Sequence, residues 1–330
     1  MTPAGEHLDR ALAQERKLPD FFIVGHAKCG TTALYEMLRA HPDVYMSDLK
    51  EPQFFARENP QLSGGPVAFE HTGARLESYD EYLAHFRAAR PDQLMGEAST
   101  AYLWSPTAAR RIADAQPSAK IIAILREPTA FLRSLHLQLL QNGTETETDL
   151  RKALALEGAR REGREIPPKQ NWPSALIYTD RVRYVEQLRR FHDVFPAEQV
   201  LVLVYEDYRA DNDATMRTVR RFLGLSEQIA IRAHEANPTI RVRSQRVRGA
   251  VRAAYRAQDP ASRALKGTLK ALTPQDLRRG VRQRLVYGKP RAPDDRLMRE
   301  LRSRFKPEVL ALSEYLGRDL VALWGYDEVG

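Results

Sequence analysis

The stretch FFIVGHAKCGTTALYEMLRAHP, residues 21–42, decides the fold. It opens with five apolar residues, which are typical of a strand buried on both faces. Its second half repeats apolar residues at helical spacing and stops before Pro42. Between the two, Gly25 and Gly30 have the spacing of a phosphate-binding loop, G-x-x-x-x-G-K-[ST]. The pattern predicts a strand, an anion-binding loop and a helix in direct succession.

The loop departs from that pattern at its lysine. Thr32 stands at the Ser/Thr position, but Thr31 occupies the lysine position, and Lys28 comes three residues early. The glycines permit close backbone approach, and the helix that follows directs its N–H groups and positive dipole end at the loop. The stretch is therefore either an altered nucleoside triphosphatase loop or an intact loop for a different anion.

The ends of two further apolar runs bear on this choice. A triphosphatase lysine works beside a magnesium ion, which needs a nearby acid from a second strand. The run KIIAILR (120–126) ends instead in Arg126, a cation that binds anions and repels a metal. The run VLVLVYED (200–207) ends in Glu206 and Asp207, which keeps a magnesium-dependent P-loop kinase as an alternative.

Strands and helices alternate along the chain. Apolar runs at 21–25, 120–126 and 200–207, with a weaker one at 93–97, read as buried parallel strands. Helical patterns occur at 31–42, 127–143, 180–196, 213–225 and 307–320. This order predicts an α/β fold, a P-loop-like doubly wound parallel sheet with helices on both faces. Ligands of such sheets bind outside the carboxyl ends of the strands.

We expect one domain over residues 1–330, with a polar N-terminal extension (1–19) and a basic, mostly helical segment at 241–306. That segment holds 20 Lys/Arg against 5 Asp/Glu, whereas the whole chain carries a net charge of +8. Its charge favours an anionic partner: a nucleotide, an acidic acceptor or a phospholipid surface. Residues 246–290 read as an amphipathic helix that touches a membrane, covers an acidic acceptor or packs on the sheet. A non-catalytic nucleotide or nucleic-acid binder is a third hypothesis, but no aromatic residues alternate with the basic ones as base stacking requires, so we expect no nucleic-acid partner.

The chain has no run of eighteen apolar residues, and its first twenty residues lack the apolar core of a secretory signal. Cys29, the single cysteine, fits a reducing compartment, so we expect a cytoplasmic protein. No His/Cys cluster has metal-ligand spacing, and we expect no metal.

Five segments, in the same order, resemble sulfotransferases that use 3′-phosphoadenosine 5′-phosphosulfate (PAPS), in particular bacterial relatives of the carbohydrate and heparan sulfate branch. They are FFIVGHAKCGTTALYEMLRAHPDV (21–44), KEPQFFA (50–56), GEASTAYLWSP (96–106), KIIAILREPTAFLRSLHLQ (120–138) and FPAEQVLVLVYEDYRADNDATMRTVRRFLGL (195–225). The resemblance implies a PAPS-dependent enzyme that transfers a sulfuryl group by in-line displacement, without a metal. The acceptor would be a hydroxyl, or an amine, of a carbohydrate, glycolipid or secondary metabolite.

The resemblance also assigns the donor site. Lys28 would reach the bridging oxygen between phosphate and sulfate, where negative charge develops. The 5′-phosphosulfate would be clamped by the N–H groups and hydroxyls of Cys29, Gly30, Thr31 and Thr32. Arg126 and Ser134, eight residues apart, would hold the 3′-phosphate. The segment NPTIRVRSQRVRG (237–249) resembles the basic loop that closes over the cofactor, with Arg241, Arg243 and Ser244 as the candidates.

On the acceptor side, the resemblance makes Glu97 the general base that takes the proton of the attacking hydroxyl. Relatives often carry a lysine after this glutamate, where this chain has Ala98. His26 and His136 are rival bases. Lys50 would lie near the acceptor or the sulfate, and Phe54 would line the pocket or the core.

Overall fold

A five-stranded parallel sheet forms the centre of the structure, a computed structural model that describes residues 18–56, 76, 78–168, 173–227, 241–242, 287–288 and 292–329. The strands follow the order β2-β3-β1-β4-β5 across the sheet. Their bounds are β1 Phe21–Ile23, β2 Val44–Met46, β3 Leu94–Ala98, β4 Lys120–Leu125 and β5 Val200–Val204.

Helices fill the connections between the strands. Their bounds are α1 Thr31–Arg39, α2 Tyr79–Ala84, α3 Ala108–Ala115, α4 Pro128–Asn142, α5 Leu150–Ala155, α6 Glu157–Arg161, α7 Tyr184–His192, α8 Tyr205–Ala210, α9 Asn212–Leu223, α10 Asp295–Leu316 and α11 Leu320–Trp324. Short 3-10 turns occupy Phe54–Ala56, Pro173–Leu176, Thr179–Val182 and Ala197–Gln199. A separate antiparallel pair joins β6 Arg241–Val242 to β7 Tyr287–Gly288.

The fold class predicted from the sequence is confirmed. β1 is buried along its whole length, and every residue of β4 after Lys120 is buried too, which is why both read as unbroken apolar runs. The connection from β1 leads past β3 to β2 on one side of the sheet, whereas the connection from β4 leads to β5 on the other. With this reversal of direction, right-handed crossovers place helices on both faces of the sheet.

The same reversal creates the place where a ligand can bind. β1 pairs in parallel with β3 on one side and with β4 on the other, so that Ile23 lies opposite Ala98 and Ile122. The loops that leave these three strands therefore begin at one edge of the sheet. A crevice at such a switch point is the usual ligand site of doubly wound folds.

Some elements differ from the sequence-based expectations. β2 was not predicted, because three residues are too few to show a period. The helix expected at 307–320 is the second half of the longer α10, which contains Pro307. Tyr287–Gly288 form a strand inside the segment expected to be mostly helical; the rest of 246–290, and residues 1–17 of the N-terminal extension, lie outside the described residues. In the part of the chain that is described, no helix combines the length and apolarity needed to cross a membrane.

Candidate functional site

The loop between β1 and α1 passes too close to its neighbours for side chains at its two glycines. A Cβ on Gly25 would lie 2.6 Å from the backbone oxygen of Ile124 in β4. Gly30 has a left-handed φ of 95°, and a Cβ there would lie 3.2 Å from the ring of Tyr205. Both positions therefore require glycine, one for close approach and the other for its dihedral angle as well.

Arg126, the residue after β4, ties this loop to the neighbouring strand. Its Nη1 donates a hydrogen bond to the backbone oxygen of Lys28 at 2.9 Å. Its guanidinium lies over the Tyr205 ring, 4.6 Å from the centroid. The Tyr184 hydroxyl in turn donates to the Arg126 carbonyl at 2.9 Å. Arg126 thus holds Lys28, which adopts a left-handed φ of 68°.

The charge of Arg126 acts on two further cations, Lys28 and Arg133. Burial and the charge of Arg126 lower the pKa of Lys28 below its usual value. The same two causes lower the pKa of Arg133 on α4. The Nε of Arg126 is buried and has no hydrogen-bond partner among the described residues. An anion bound between these groups would relieve their mutual repulsion, so the arrangement is that of an anion site.

Two helix starts complete this part of the site. α1 begins directly after Gly30, and no side chain caps it. Cys29 and Thr31 are buried, and burial raises the pKa of the Cys29 thiol, so it remains protonated. α4 begins at Pro128 and is capped by Glu127, whose carboxylate accepts the N–H groups of Thr129 and Ala130.

The loop 28–32 and α4, which carry the residues predicted to bind the donor, follow the neighbouring strands β1 and β4 at one edge of the sheet. Thr32 is half-buried in the first turn of α1, and Ser134 is buried two turns along α4. Sequence reasoning missed two contributors to this part, Arg133 and Tyr205, because neither belongs to a phosphate-binding pattern.

Glu97 lies in β3 with its side chain fully buried. Its carboxylate accepts hydrogen bonds from the hydroxyls of Tyr82 at 2.5 Å, Ser99 at 2.6 Å and Tyr102 at 3.1 Å. Burial raises its pKa to about 7, although the three hydrogen bonds oppose that shift. Because no part of Glu97 is exposed, an acceptor hydroxyl cannot reach it in this structure.

Glu51 is the accessible carboxylate near the same strand end. Its side chain is 23% exposed, and its N–H donates to the backbone oxygen of Ala98, the last residue of β3. Its carboxylate pairs with Lys50 at 2.8 Å and accepts from the Thr100 hydroxyl at 3.0 Å. It has a left-handed φ of 62°, a conformation that is uncommon for a non-glycine residue. The sequence signal for Glu51 is the acid beside Lys50 in KEPQFFA.

The other candidates on the acceptor side differ in their exposure. Lys50 is partly exposed, at 24% of its side chain. Phe54 is buried, stacks on Tyr82 with ring centroids 4.6 Å apart, and meets Tyr79 edge-on. Phe54 therefore belongs to the aromatic core beneath the segment and not to an open pocket.

The two histidines considered as bases are interior residues. His26 contacts the rings of Phe131 and Tyr184, and its Nε2 shares a 2.7 Å hydrogen bond with Gln187. Burial lowers its pKa to about 3. His136 is buried as well, shares a hydrogen bond with the backbone oxygen of Glu147, and has its pKa lowered by burial.

The candidates of the late basic loop can be placed only in part. Arg241 begins β6, a strand that lies beside α4, the helix that carries Ser134. Arg243 and Ser244 lie outside the described residues.

Comparisons with known proteins converge on one family. The model of the Sulfotransferase family matches residues 19–228. The chain is 29% identical to mouse carbohydrate sulfotransferase 15 over 249 aligned residues, which cover 64% of this chain and 44% of the mouse protein. It is 28% identical over 210 residues to the bovine bifunctional heparan sulfate N-deacetylase/N-sulfotransferase 2, covering 64% of this chain and 22% of that protein. The chain thus spans less than half the length of these two relatives.

A solved structure agrees over nearly the full length. The sulfotransferase from Alicyclobacillus acidocaldarius superimposes with a TM-score of 0.65 and 28% sequence identity, covering 94% of this chain and 99% of that one. The range matched by the family model contains the whole five-stranded sheet, the anion loop and the arginine that holds it. The chain therefore belongs to the sulfotransferase family.

Proposed function

We propose that this protein transfers a sulfuryl group from PAPS to a hydroxyl of a carbohydrate, glycolipid or secondary-metabolite acceptor, with an amine as the alternative acceptor group. The observation that carries the proposal is the position of Arg126, which donates to the Lys28 carbonyl in the loop before α1 and whose charge acts on Lys28 and on Arg133 of α4. Neighbouring cations, with the pKa values of two of them lowered, suit a ligand that carries several negative charges. PAPS carries a 5′-phosphosulfate and a 3′-phosphate.

Each half of the donor has its own group of residues. The loop 28–32 would bind the 5′-phosphosulfate through its N–H groups and threonine hydroxyls, with Lys28 at the bridging oxygen. Arg126, Arg133 and Ser134 would bind the 3′-phosphate. Because Arg126 also donates a hydrogen bond to the carbonyl of Lys28, the two groups of residues proposed to bind the donor contact each other directly.

We assign the general base to Glu51 and not to Glu97. Glu51 is partly exposed and lies beside Lys50, whereas Glu97 is sealed beneath three hydroxyls. In the transfer, the acceptor oxygen bonds to sulfur while the bond between sulfur and the bridging oxygen breaks. The acceptor proton passes to Glu51, and 3′-phosphoadenosine 5′-phosphate (PAP) leaves with its charge stabilised by Lys28.

The names of the relatives support a carbohydrate acceptor. One is named as a carbohydrate sulfotransferase and the other as a heparan sulfate N-sulfotransferase; the second name specifies a nitrogen nucleophile, and the acceptor group that we propose is accordingly a hydroxyl or an amine. The accessible carboxylate of Glu51 could take a proton from either group.

The acids that follow β5 do not favour the kinase alternative, because both are already bound to other residues. The carboxylate of Glu206 accepts the indole N–H of Trp324 at 3.0 Å and the backbone N–H of Glu127 at 3.3 Å. Asp207 pairs with Arg318. Both acids that a magnesium ion would need are therefore engaged in structural contacts.

Calorimetric titration with PAP, AMP and ATP-Mg tests the donor site. We expect PAP to bind in the presence of EDTA, about tenfold or more tighter than AMP, because the 3′-phosphate adds charge-assisted hydrogen bonds. Arg126→Ala should remove most of that preference, whereas Arg164→Ala, at an exposed ion pair, should keep it. Tighter binding of ATP-Mg than of PAP would favour the kinase instead.

Transfer itself is tested by incubating the protein with PAPS and a panel of glycans and phenols, with mass spectrometry of the products. We expect an acceptor mass increase of one sulfate, lost in Lys28→Ala and in Glu51→Gln. Full turnover by Lys28→Ala would contradict the mechanism.

A further inference from the structure

Glu97 has no part in the proposed mechanism, yet it is a fully buried carboxylate at the edge where the reaction would occur. A buried carboxylate is costly unless its hydrogen bonds are complete. Here three hydroxyls supply them, from Tyr82 on α2 and from Ser99 and Tyr102 after β3. A buried network whose hydrogen bonds are complete makes the groups that it joins rigid.

Two of these three hydroxyls also bind the segment 50–56. Ser99 Oγ accepts the backbone N–H of Gln53 at 2.9 Å, and the Tyr102 hydroxyl accepts the backbone N–H of Phe55 at 3.3 Å. A hydroxyl has one hydrogen and two lone pairs, and an ionised carboxylate can only accept. At a pH above the Glu97 pKa of about 7, the ionised carboxylate therefore draws the hydroxyl hydrogens toward itself and leaves the lone pairs facing the N–H groups of the segment.

The segment needs such support because of its backbone. Glu51 and Gln53 have left-handed φ angles of 62° and 53°. Non-glycine residues in this region are disfavoured and persist only where the surroundings enforce them. The enforced shape is what directs Lys50 and Glu51 to the carboxyl end of β3, where the Thr100 hydroxyl meets the Glu51 carboxylate.

We propose that Glu97 is a positioning residue: through the hydroxyls of Ser99 and Tyr102 it holds the segment 50–56 in the conformation that presents Glu51 to the acceptor. The proposal rests on the proposed function, in which Glu51 is the base. It also gives the buried carboxylate a role distinct from proton transfer.

Hydrogen exchange of the peptide covering 50–56, with the protein saturated in PAP, tests the proposal. We expect Glu97→Gln, Ser99→Ala and Tyr102→Phe each to speed exchange in this peptide about tenfold, as expected when a hydrogen bond in a charged network is lost. Tyr82→Phe is the matched control, because its hydroxyl binds the same carboxylate but not the segment. It should lower the melting temperature without speeding that exchange.

The rate of PAP formation from PAPS in the absence of an acceptor gives a second readout, since water would then be the nucleophile that Glu51 activates. We expect a fall of about tenfold in Glu97→Gln and none in Tyr82→Phe, with the PAP dissociation constant unchanged in both. If Glu97→Gln alters only the melting temperature, or if Tyr82→Phe speeds exchange equally, the proposal is overturned. Failure of the wild-type protein to bind PAP would instead overturn the proposed function.

Discussion

At the scale of single residues, Lys28 and Arg126 are two neighbouring cations whose charges oppose each other. The Arg126 guanidinium donates to the Lys28 carbonyl, and the Tyr205 ring supports it from the other side. Together with burial, the repulsion between the two positive charges lowers the pKa of Lys28. A bound ligand with several negative charges would raise this pKa again, so nucleotide binding and the charge of Lys28 should be linked.

That linkage predicts a pH dependence. Because the pKa of Lys28 lies below its ordinary value of 10.5, the lysine should lose its charge earlier than usual as pH rises. PAP affinity should therefore fall as pH passes through this lowered pKa, and it should be fully present below it. Lys28→Arg should retain its affinity over the same range, because arginine stays charged. Titrations with PAP between about pH 7 and pH 10 measure this; equal losses in both proteins would contradict the assignment.

At the scale of elements, the loop between β1 and α1 depends on β4 and on the start of α8. Gly25 lies against the backbone of β4, and Gly30 lies against the ring of Tyr205, the first residue of α8. The loop shape is thus set by packing across the sheet as well as by its own glycines.

We expect Gly30→Ala to weaken PAP binding about tenfold and to destabilise the fold by about 1–2 kcal/mol, since alanine is disfavoured at a left-handed φ and would press on Tyr205. Gly224→Ala is the matched control. It has a φ of 80° at the end of α9, but nothing lies within 4 Å of the added Cβ. It should show a similar loss of stability by urea unfolding and an unchanged PAP dissociation constant. Equal effects on binding would mean that contact with Tyr205 is unimportant.

At the scale of the whole molecule, residues near the C-terminus contact the residues that follow β4 and β5, although they lie beyond the range of the family match. Trp324, the last residue of α11, donates to Glu206 in the first turn of α8, just after β5. Tyr326 donates to Glu127 at 2.6 Å, next to Arg126. The two acids are themselves joined, because Glu206 accepts the backbone N–H of Glu127. The end of the chain therefore supports the residues that follow β4 and β5.

Tyr326→Phe should remove one donor from the buried Glu127 and destabilise the protein by about 1–3 kcal/mol. PAP affinity should fall by a few fold, because the start of α4 beside Arg126 loses support. Tyr315→Phe, whose hydroxyl meets His192 on α7, is the comparison variant and should leave PAP affinity unchanged. Unfolding and calorimetric titration of both variants decide whether the C-terminus supports the donor site.

Four of the five strands of the central sheet, the order of the motifs and two of the neighbouring cations, Lys28 and Arg126, could be predicted from the sequence, whereas β2 and Arg133 could not. The signals of the predicted features are local: unbroken apolar runs for buried strands, two glycines at fixed spacing, and Arg126 at the end of a run. A strand followed directly by a loop and a helix can place Lys28 only at the carboxyl edge of the sheet. The sequence by itself therefore determined the fold class and the edge of the sheet at which we propose that an anion binds.

Tertiary structure decided which carboxylate faces that edge. Glu97 and Glu51 both lie in segments that resemble the family, and nothing local in either segment separates an exposed acid from a buried one. The difference arises because Tyr82 comes from a distant helix to seal Glu97, while the Ser99 and Tyr102 hydroxyls hold the segment 50–56 with Glu51 exposed. Burial and hydrogen bonding depend on residues brought together by folding, so only the folded structure could distinguish the two.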